Sequence, residues 1–377
     1  MRFTRIRLKN WRNFVDVDVD LQERMFLVGP NASGKSNFLD AFRFLRDIAE
    51  SQGGFQRAVS ERQGVSRIRS LAARVDPNVL IEVDMLSAEG ESWSYLLEFN
   101  QDTQRRPIVR REIVRRGDEV VLERPDKEDR SDRSRLTQTH LEQVNANKRF
   151  RALAEFFSQI RYLHIVPQLV REPERSVGHK RDPYGGDFLE QLATTPQKTL
   201  DSRLRRIKDA LKVAVPQLED LKMERDQKGV PHLKGLYRHW RPNAGWQTED
   251  QFSDGTLRLL GLLWAMLDGS GPLLLEEPEL SLHVSVARYL PRIMARINRK
   301  QGRQMLVSTH SADLLMDPGI GMNEVLLLFP MKEGTKIREA RKVKEIRPLL
   351  EGGLPMGEVV LPHTAPRDAD QLALFGE

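Results

Sequence analysis

One eight-residue segment limits the possible folds of this 377-residue chain more than any other feature. It has the sequence Gly29-Pro-Asn-Ala-Ser-Gly34-Lys35-Ser36, follows the apolar run at 25–28 and precedes a segment in which large apolar residues recur with helical spacing. A glycine-permitted loop at a helix N-terminus offers a phosphate several backbone N–H groups and the positive end of the helix dipole. The pattern therefore predicts a strand, a phosphate-binding loop and a helix within an α/β fold.

The loop pattern also predicts its ligands. Lys35 is expected to reach the β and γ phosphates of ATP, and Ser36 is expected to ligate Mg²⁺. The residues expected to bind nucleotide here are Gly29, Pro30, Asn31, Ala32, Ser33, Gly34, Lys35, Ser36 and Asn37.

Composition excludes several classes of protein. The chain contains no cysteine, which excludes disulfides and thiolate zinc sites, so we expect a reducing compartment, the cytoplasm. No segment approaches the ~20 apolar residues that cross a bilayer, and the basic N-terminus lacks the apolar region of a signal peptide. We therefore expect no membrane partner.

The formal net charge of +6 is compatible with a nucleic-acid partner, and its distribution is uneven. Two basic clusters stand out, one of Arg105, Arg106, Arg110, Arg111, Arg115 and Arg116 and one of Arg203, Arg205, Arg206, Lys208 and Lys212. These clusters either contact DNA phosphates or form solvated surface, and the sequence leaves both interpretations open.

Periodicity gives the organisation of the rest. Two alternating segments before residue 25 are interpreted as edge strands that lead into the central strand, and 68–125 shows short period-two runs typical of an antiparallel sheet. The almost wholly charged stretch 126–135 is expected to be a flexible loop. The predicted divisions are 1–125 (first part of the core with the antiparallel β lobe), 126–250 (charged loop and inserted helical lobe), 251–360 (second part of the core) and 361–377 (flexible tail).

Three further segments carry candidate chemistry. The strand pattern PLLLE delivers Glu276 and Glu277 at its carboxyl end, where parallel sheets place ligands: Glu276 for the outer shell of Mg²⁺ and Glu277 to orient and deprotonate water. Ser253 precedes an apolar helix as its N-cap. His310 follows another buried strand, where it could sense a γ-phosphate.

In this order the features resemble an ABC-type P-loop ATPase. LKNWRNF, GPNASGKS and EEPELSLH are similar to segments of the RecF and OLD families, near the SMC group, over residues 1–55 and about 250–360. The fold implied is an α/β ABC-type P-loop ATPase core with an antiparallel β lobe and an inserted helical lobe.

That resemblance assigns roles to single residues. It implies that Glu277 is the catalytic base and that Ser253 and Gly255 act on the nucleotide of a second protomer, in a homodimer promoted by ATP. It places Gln168 where such enzymes contact Mg²⁺ and the water, and Arg12 beside the nucleotide's phosphates or base.

The resemblance also has limits. Glu276 stands where the general ABC pattern has aspartate, and too few residues follow His310 for the nuclease domain of full OLD proteins, so a nuclease effector is expected to be a separate protein. The function implied is an ATP-dependent dimerising switch on DNA in a repair or antiphage system. Two alternatives remain: the nucleotide-binding subunit of a transporter, or a switch protein with negligible turnover.

The C-terminal residues suggest one more partner. Gln371 to Phe375 reads QLALF behind a leader rich in proline and charge, and it is similar to the short peptide with which bacterial proteins bind the replicative sliding clamp. Packing of these apolar side chains on the protein's own surface is the competing interpretation.

Overall fold

The computed structural model describes residues 1–74, 76–172, 182–241, 245–365 and 371. The strands are β1 (Arg2–Trp11), β2 (Phe14–Asp20), β3 (Arg24–Val28), β4 (Val79–Leu86), β5 (Ser92–Gln101), β6 (Pro107–Arg116), β7 (Glu119–Arg124), β8 (Arg161–Leu163), β9 (Leu218–Arg225), β10 (Pro231–Tyr237), β11 (Trp246–Thr248), β12 (Leu273–Glu276), β13 (Met305–Thr309), β14 (Val325–Pro330) and β15 (Thr335–Glu339). The α-helices are α1 (Lys35–Ala49), α2 (Phe55–Ser60), α3 (Val65–Ile68), α4 (Lys127–Ser131), α5 (Arg151–Ser158), α6 (Pro167–Arg171), α7 (Phe188–Thr194), α8 (Gln197–Ala214), α9 (Asp254–Leu267), α10 (Val284–Ala287), α11 (Leu290–Gln301), α12 (Ile346–Glu351) and α13 (Met356–Thr364).

A six-stranded sheet of order β15-β14-β3-β13-β12-β8 forms the centre of the molecule. Its strands are parallel except for the β14–β15 hairpin at one edge. β3 and β13 are buried along their whole length, as expected when helices cover both faces of a parallel sheet. Met25 and Leu27 pack in the apolar cluster that contains α1, whereas Phe26 and Val28 pack in the one that contains α9 and α11.

A second six-stranded sheet, of order β2-β1-β4-β5-β6-β7, is antiparallel throughout and confirms the predicted antiparallel lobe. The interpretation of the first two strands as edges of the central sheet was wrong. β1 pairs instead with β4, for example Ile6 with Val83 and Leu8 with Ile81. Alternation along β1 shows which of its faces is buried, but it does not specify a partner that lies about 75 residues away along the chain.

The charged stretch 126–135 is helical rather than a flexible loop. Asp126 caps α4 in a capping box with Asp129, and a 3-10 helix follows over Arg133–Thr137. Asp129 is fully buried because Arg124 pairs with it. A high density of charge therefore forms ordered structure here, since Asp126 caps the helix and Asp129 is paired inside the protein.

The region between β8 and α9 contains helices and a sheet. α8 buries Leu200, Leu204, Ile207 and Leu211 along one side, as the four-three-four spacing predicts. The lobe is not purely helical, however, because β9, β10 and β11 form a three-stranded antiparallel sheet against α8. Short strands separated by a glycine-containing turn were not recognised in the sequence.

The segment 361–377 begins as helix, because α13 continues to Thr364 and buries Val359 and Val360. Gln371 is described and exposed, while the rest of the predicted clamp-binding peptide, 372–375, lies outside the described residues. Among the helices of the described ranges, none combines the length and the apolar character that a membrane crossing requires.

Candidate nucleotide-binding and hydrolysis site

The phosphate-binding loop lies between the buried end of β3 and the first turn of α1. Its backbone requires glycine at Gly34, whose φ of 98° lies in the left-handed region. A Cβ atom added there would come within 2.2 Å of the Asn13 side chain. Ala32 also has a positive φ, 61°, so the loop turns twice within three residues before the helix begins. A tightly wound loop of this kind turns successive backbone amides toward one concavity.

Lys35 is buried, and its ammonium group is held by the loop itself. Its Nζ donates to the carbonyl oxygens of Gly29 and Pro30, at 2.9 and 3.1 Å. Burial lowers the pKa of Lys35, while the carboxylates of Glu277, Glu276 and Glu279 act in the opposite direction. A partly desolvated ammonium in the loop, near three carboxylates, is suited to binding phosphate oxygens.

Asn13 holds the loop from outside; it lies in the segment LKNWRNF, but the sequence assigned it no role. Its Nδ2 donates to the Ser33 carbonyl at 3.0 Å and to Thr335 Oγ1 at 2.7 Å, while its Oδ1 accepts from Asn37 Nδ2 at 2.8 Å. It therefore joins the β1–β2 turn, the loop, α1 and β15. Such a residue can be found only from the structure, because its partners are far apart in the sequence.

Arg12, the residue before it, has a different set of partners. Its Nη2 donates to Asp40 at 3.3 Å and its Nη1 to the Arg67 carbonyl at 3.2 Å. Arg12 also lines a cleft of about 600 Å³ beside α1, together with Asn13, Asn37, Arg69 and Arg74 among others. A cleft of this size next to the loop has room for the base and ribose of a nucleotide.

Glu276 ends β12 and joins the two halves of the site. β13 lies between β3 and β12, so the carboxylate comes from the second strand away from the loop. Its Oε1 accepts from the Ser36 hydroxyl on α1, and its Oε2 accepts from the Tyr162 hydroxyl on β8. The structure thus brings together Ser36 and Glu276, the predicted metal ligands, as oxygen donors on adjacent elements; hard oxygen donors are what Mg²⁺ prefers.

Glu277 follows in a constrained backbone conformation, with φ at 44° and its N–H bonded to the Ser308 carbonyl. Its Oε1 lies 2.9 Å from His310 Nδ1. A carboxylate only accepts, so the imidazole carries its proton on Nδ1 in this contact. His310 remains about half exposed, so the pair faces solvent beside the loop.

Glu279 is a buried carboxylate that the sequence interpretation did not use. Its Oε1 accepts from the Thr309 hydroxyl, and its Oε2 has no hydrogen-bond partner among the described residues. Burial raises the pKa of Glu279. It connects the turn after β12 to the end of β13 and so helps to fix Glu277 and His310 relative to each other.

The segment before α9 contacts other parts of its own chain. Ser253 caps α9 by accepting from the Thr256 N–H, and a Cβ on Gly255 would come within 2.6 Å of the Ser281 carbonyl. Arg171, on α6, donates to the Phe252 carbonyl at 2.6 Å and pairs with Asp254 at 2.7 Å. The segment is therefore fixed from two sides, by α6 and by the turn that follows the paired glutamates.

Gln168 is not brought to the other predicted residues in this state. It lies in the same short helix as Arg171, with its side chain exposed and without a hydrogen bond to the described part of the chain. Tyr162, on the preceding strand, makes the contact with Glu276 instead. The helix nevertheless begins four residues after the end of β8, at the carboxyl edge of the sheet that also holds Glu276 and Glu277.

The fold and this site define a P-loop ATPase of the ABC type, in the group that includes RecF, SMC and OLD-like ATPases. The chain belongs to the family described as "AAA domain, putative AbiEii toxin, Type IV TA system", whose match extends over residues 24–317.

Solved SMC head domains share the fold. The SmcHead bound to the C-winged helix domain of ScpA matches with a TM-score of 0.56 and 11% identity, over 90% of this chain and 97% of that one. An Smc head domain with an extended coiled coil, bound to the C-terminal domain of ScpA derived from Pyrococcus furiosus, matches with a TM-score of 0.51 and 10% identity, over 93% and 99%. At these identities the likeness concerns the fold.

A curated relative is matched over a short segment. "Endonuclease GajA" of Bacillus cereus (strain VD045) is 37% identical over 67 residues, which are 18% of this chain and 12% of that protein. The matched segment is thus a small part of the endonuclease.

Proposed function

We propose that this chain hydrolyses ATP with the residues that meet at the carboxyl edge of the central sheet. The observation that carries the proposal is that Ser36 and Glu276 share a hydrogen bond while Glu277 and His310 lie in contact beside the loop. The loop amides and Lys35 bind the phosphates, and Glu277 orients a water and accepts its proton. His310 holds the Glu277 carboxylate through its Nδ1–H and so aims it.

Mg²⁺ would be held by Ser36 and, in its outer shell, by Glu276, with Gln168 a further candidate. A bound Mg²⁺ would supply positive charge to the phosphates during transfer. Ser36 and Glu276 fit this role because both present oxygen atoms at the first turn of the phosphate-binding helix.

We propose that the site is completed by a second copy of the chain. Ser253 and Gly255 are fixed to α6 and to the Ser281 turn of their own protomer, and they present a capped helix N-terminus that can bind an anion. A γ-phosphate bound to the loop of one protomer is then contacted by this helix end of the other.

In a Glu277→Gln background, ATP is expected to convert monomers to dimers, and Ser253→Ala is expected to prevent it. Removing the Ser253 hydroxyl costs the helix cap about 1 kcal/mol and removes the group that faces the partner's phosphate. Asp126→Ala is the matched control, since it removes a helix cap of similar energy outside the site. Sedimentation velocity with and without ATP measures the mass. Equal masses under both conditions at concentrations where the protein is monomeric would contradict the proposal.

We also propose DNA as the partner, along a surface that the predicted clusters enter only at Arg106 and Arg110. Five of the cluster residues are neutralised by carboxylates on the same chain, namely Arg106, Arg111, Arg116, Arg203 and Lys208. Arg67, Arg69, Arg130 and Arg133 have no carboxylate partner among the described residues. An unpaired arginine breaks no ion pair when it binds a phosphate, whereas a paired one must first leave its carboxylate.

Unpaired arginines line a series of connected clefts. The cleft beside α1 shares Ser66 and Arg69 with a second cleft of about 270 Å³, which shares Asp102 with a third of about 590 Å³. Arg67 and Arg69 lie at one end of the series, and Arg130 and Arg133 line the other. A phosphate backbone along this path would touch the wall of the nucleotide cleft, which would couple DNA binding to ATP binding.

Replacing the four unpaired arginines by glutamine is expected to weaken binding to duplex DNA. The slope of log K against log salt concentration should become less steep by about 0.9 for each phosphate that is no longer neutralised. The matched control replaces four paired residues that line none of these clefts, Arg111, Arg116, Arg203 and Lys208, and should change the slope far less. Fluorescence anisotropy over a salt series measures both. If the control reduced the slope equally or more, the interface would instead lie at the predicted clusters.

A separate effector is the last part of the proposal. A segment of this chain is 37% identical to part of a protein titled an endonuclease, which supports association of this ATPase with a nuclease, in repair or in defence against phage.

The peptide beginning at Gln371 is proposed to bind a sliding clamp. The test measures binding of a peptide spanning Arg367–Glu377 to purified clamp. The peptide should bind, and the double substitution Leu374→Ala with Phe375→Ala should abolish binding.

A further inference from the structure

Tyr162 makes a contact that the proposed reaction does not yet use. In the parallel pairing of β8 with β12, Tyr162 lies opposite Leu274, two residues before Glu276. Side chains two apart in a strand share a face, so Tyr162 and Glu276 lie on the same side of the sheet. That side is covered by α1, which carries Ser36. The Tyr162 hydroxyl donates to Glu276 Oε2, and the Ser36 hydroxyl donates to Glu276 Oε1.

The Tyr162 hydroxyl is held in place by the packing of its ring. The residue is 7% exposed and belongs to the apolar cluster of the α1 side. The guanidinium of Arg43 lies 4.3 Å from the ring centroid, which fixes the ring from the helix side. Nearby, His164 Nδ1 lies 3.3 Å from the Glu276 carbonyl oxygen and supports the end of β12. The donor to Glu276 is thus a rigid group.

Glu276 needs such a donor because it is a glutamate. A glutamate side chain has one more rotatable bond than the aspartate of the general ABC pattern, so an unsupported carboxylate would occupy several rotamers. A fixed donor on one oxygen removes that freedom and leaves the other oxygen directed at Ser36. Groups that orient a ligand in this way raise metal affinity without touching the metal.

We propose that Tyr162 is a positioning residue, which holds Oε2 of Glu276 and so keeps Oε1 beside the Ser36 hydroxyl for the Mg²⁺ that accompanies ATP. This inference rests on the proposed function. The Tyr162 hydroxyl restricts the Glu276 side chain, so that the carboxylate of this glutamate is held as firmly as that of the shorter aspartate would be.

The test compares nucleotide affinity with and without metal in the Glu277→Gln background, where ATP is not consumed. Calorimetry gives the Kd of ATP in EDTA and in excess Mg²⁺. The Kd in EDTA divided by the Kd in Mg²⁺ is the factor by which the metal strengthens ATP binding. Tyr162→Phe keeps the ring and removes the hydroxyl. It should reduce the ratio about tenfold and leave the Kd in EDTA unchanged.

Two further variants make the result specific. Tyr289→Phe removes a hydroxyl from a residue that is 58% exposed and should leave the ratio unchanged. In a Glu276→Asp background, where the shorter carboxylate cannot reach both hydroxyls, Tyr162→Phe should have little further effect.

Each other outcome overturns a defined statement. If the parent variant binds no ATP, the proposed function fails and this inference fails with it. If the parent binds ATP and the Tyr162→Phe ratio equals that of the parent, only the role of Tyr162 fails. Loss of ATP binding in EDTA would show that the hydroxyl supports the fold rather than the metal. Additive effects of Tyr162→Phe and Glu276→Asp would show that it does not act through Glu276.

Discussion

Replacing Glu277 with glutamine is expected to reduce ATP hydrolysis at least 100-fold while ATP still binds. A positioned general base contributes about 10²- to 10⁴-fold to a rate, and an amide cannot accept the proton of the attacking water. The amide oxygen can still accept from His310, so the contact at 2.9 Å and the local structure are retained. Phosphate release at saturating ATP measures the rate, and calorimetry measures the binding.

Lys35→Ala is expected to differ from Glu277→Gln, because it should lose ATP binding as well as ATP hydrolysis. Its ammonium is the buried cation that the Gly29 and Pro30 carbonyls hold in the loop. Glu155→Gln, on the exposed side of α5, is the control for removing a carboxylate outside the site. Wild-type turnover by Glu277→Gln would refute the assignment of the base. Undetectable turnover by the wild-type protein would favour a switch that binds ATP without hydrolysing it.

The parts of the fold that could be predicted from sequence are those encoded within a few residues. The apolar run of β3, the glycine loop and the spacing of Phe38, Phe42 and Leu45 occupy one continuous segment, and each has its own physical signature. The same holds for α9, where a capping serine precedes an apolar helix. Local patterns of this kind are sufficient to identify the ABC-type core.

The parts that could not be predicted depend on pairings between distant residues. The assignment of β1 to the antiparallel sheet follows from its pairing with β4, and no periodicity within β1 distinguishes that partner from β3. Asn13 and Tyr162 are ordinary residues in the sequence. They become important only because folding brings Ser33 and Thr335 to the first and Glu276 to the second.

Charge patterning does not show which charges are paired, for the same reason. The composition of the stretch 126–135 and of the two basic clusters gives the number of charges but not their neighbours. In the structure Asp129 is paired inside the protein, and Arg111 and Arg116 are paired at its surface. Whether a charge is free to bind a partner is therefore a property of the fold.

Arg124→Met is expected to destabilise the antiparallel lobe by about 3–5 kcal/mol, the largest stability effect we predict. Arg124 is fully buried, and it pairs with Glu112 at 3.0 Å and Asp129 at 2.8 Å, both fully buried too. Burial opposes ionisation of Asp129, yet its hydrogen bonds from Arg124 outweigh burial and hold its pKa well below the usual range. Methionine fills a similar volume but leaves Glu112 buried without a cation and Asp129 with only Arg135, whose Nε lies at 3.3 Å. Breaking one side of a buried network costs this much.

The destabilisation should come from the uncompensated charges rather than from poorer packing, and two comparisons separate these causes. Arg111→Met breaks an ion pair of 3.8 Å at a side chain that is 52% exposed, so it should cost at most about 1 kcal/mol. Adding Glu112→Gln and Asp129→Asn to Arg124→Met removes the stranded charges and should restore part of the stability. Recovery is only partial because the two Glu112 oxygens accept from the His140 and Leu141 N–H groups, and the amide that replaces the carboxylate retains one oxygen. Urea unfolding gives the free energies. A destabilisation below about 1 kcal/mol for Arg124→Met, or no recovery in the triple variant, would mean that the network contributes packing and hydrogen bonds rather than charge compensation.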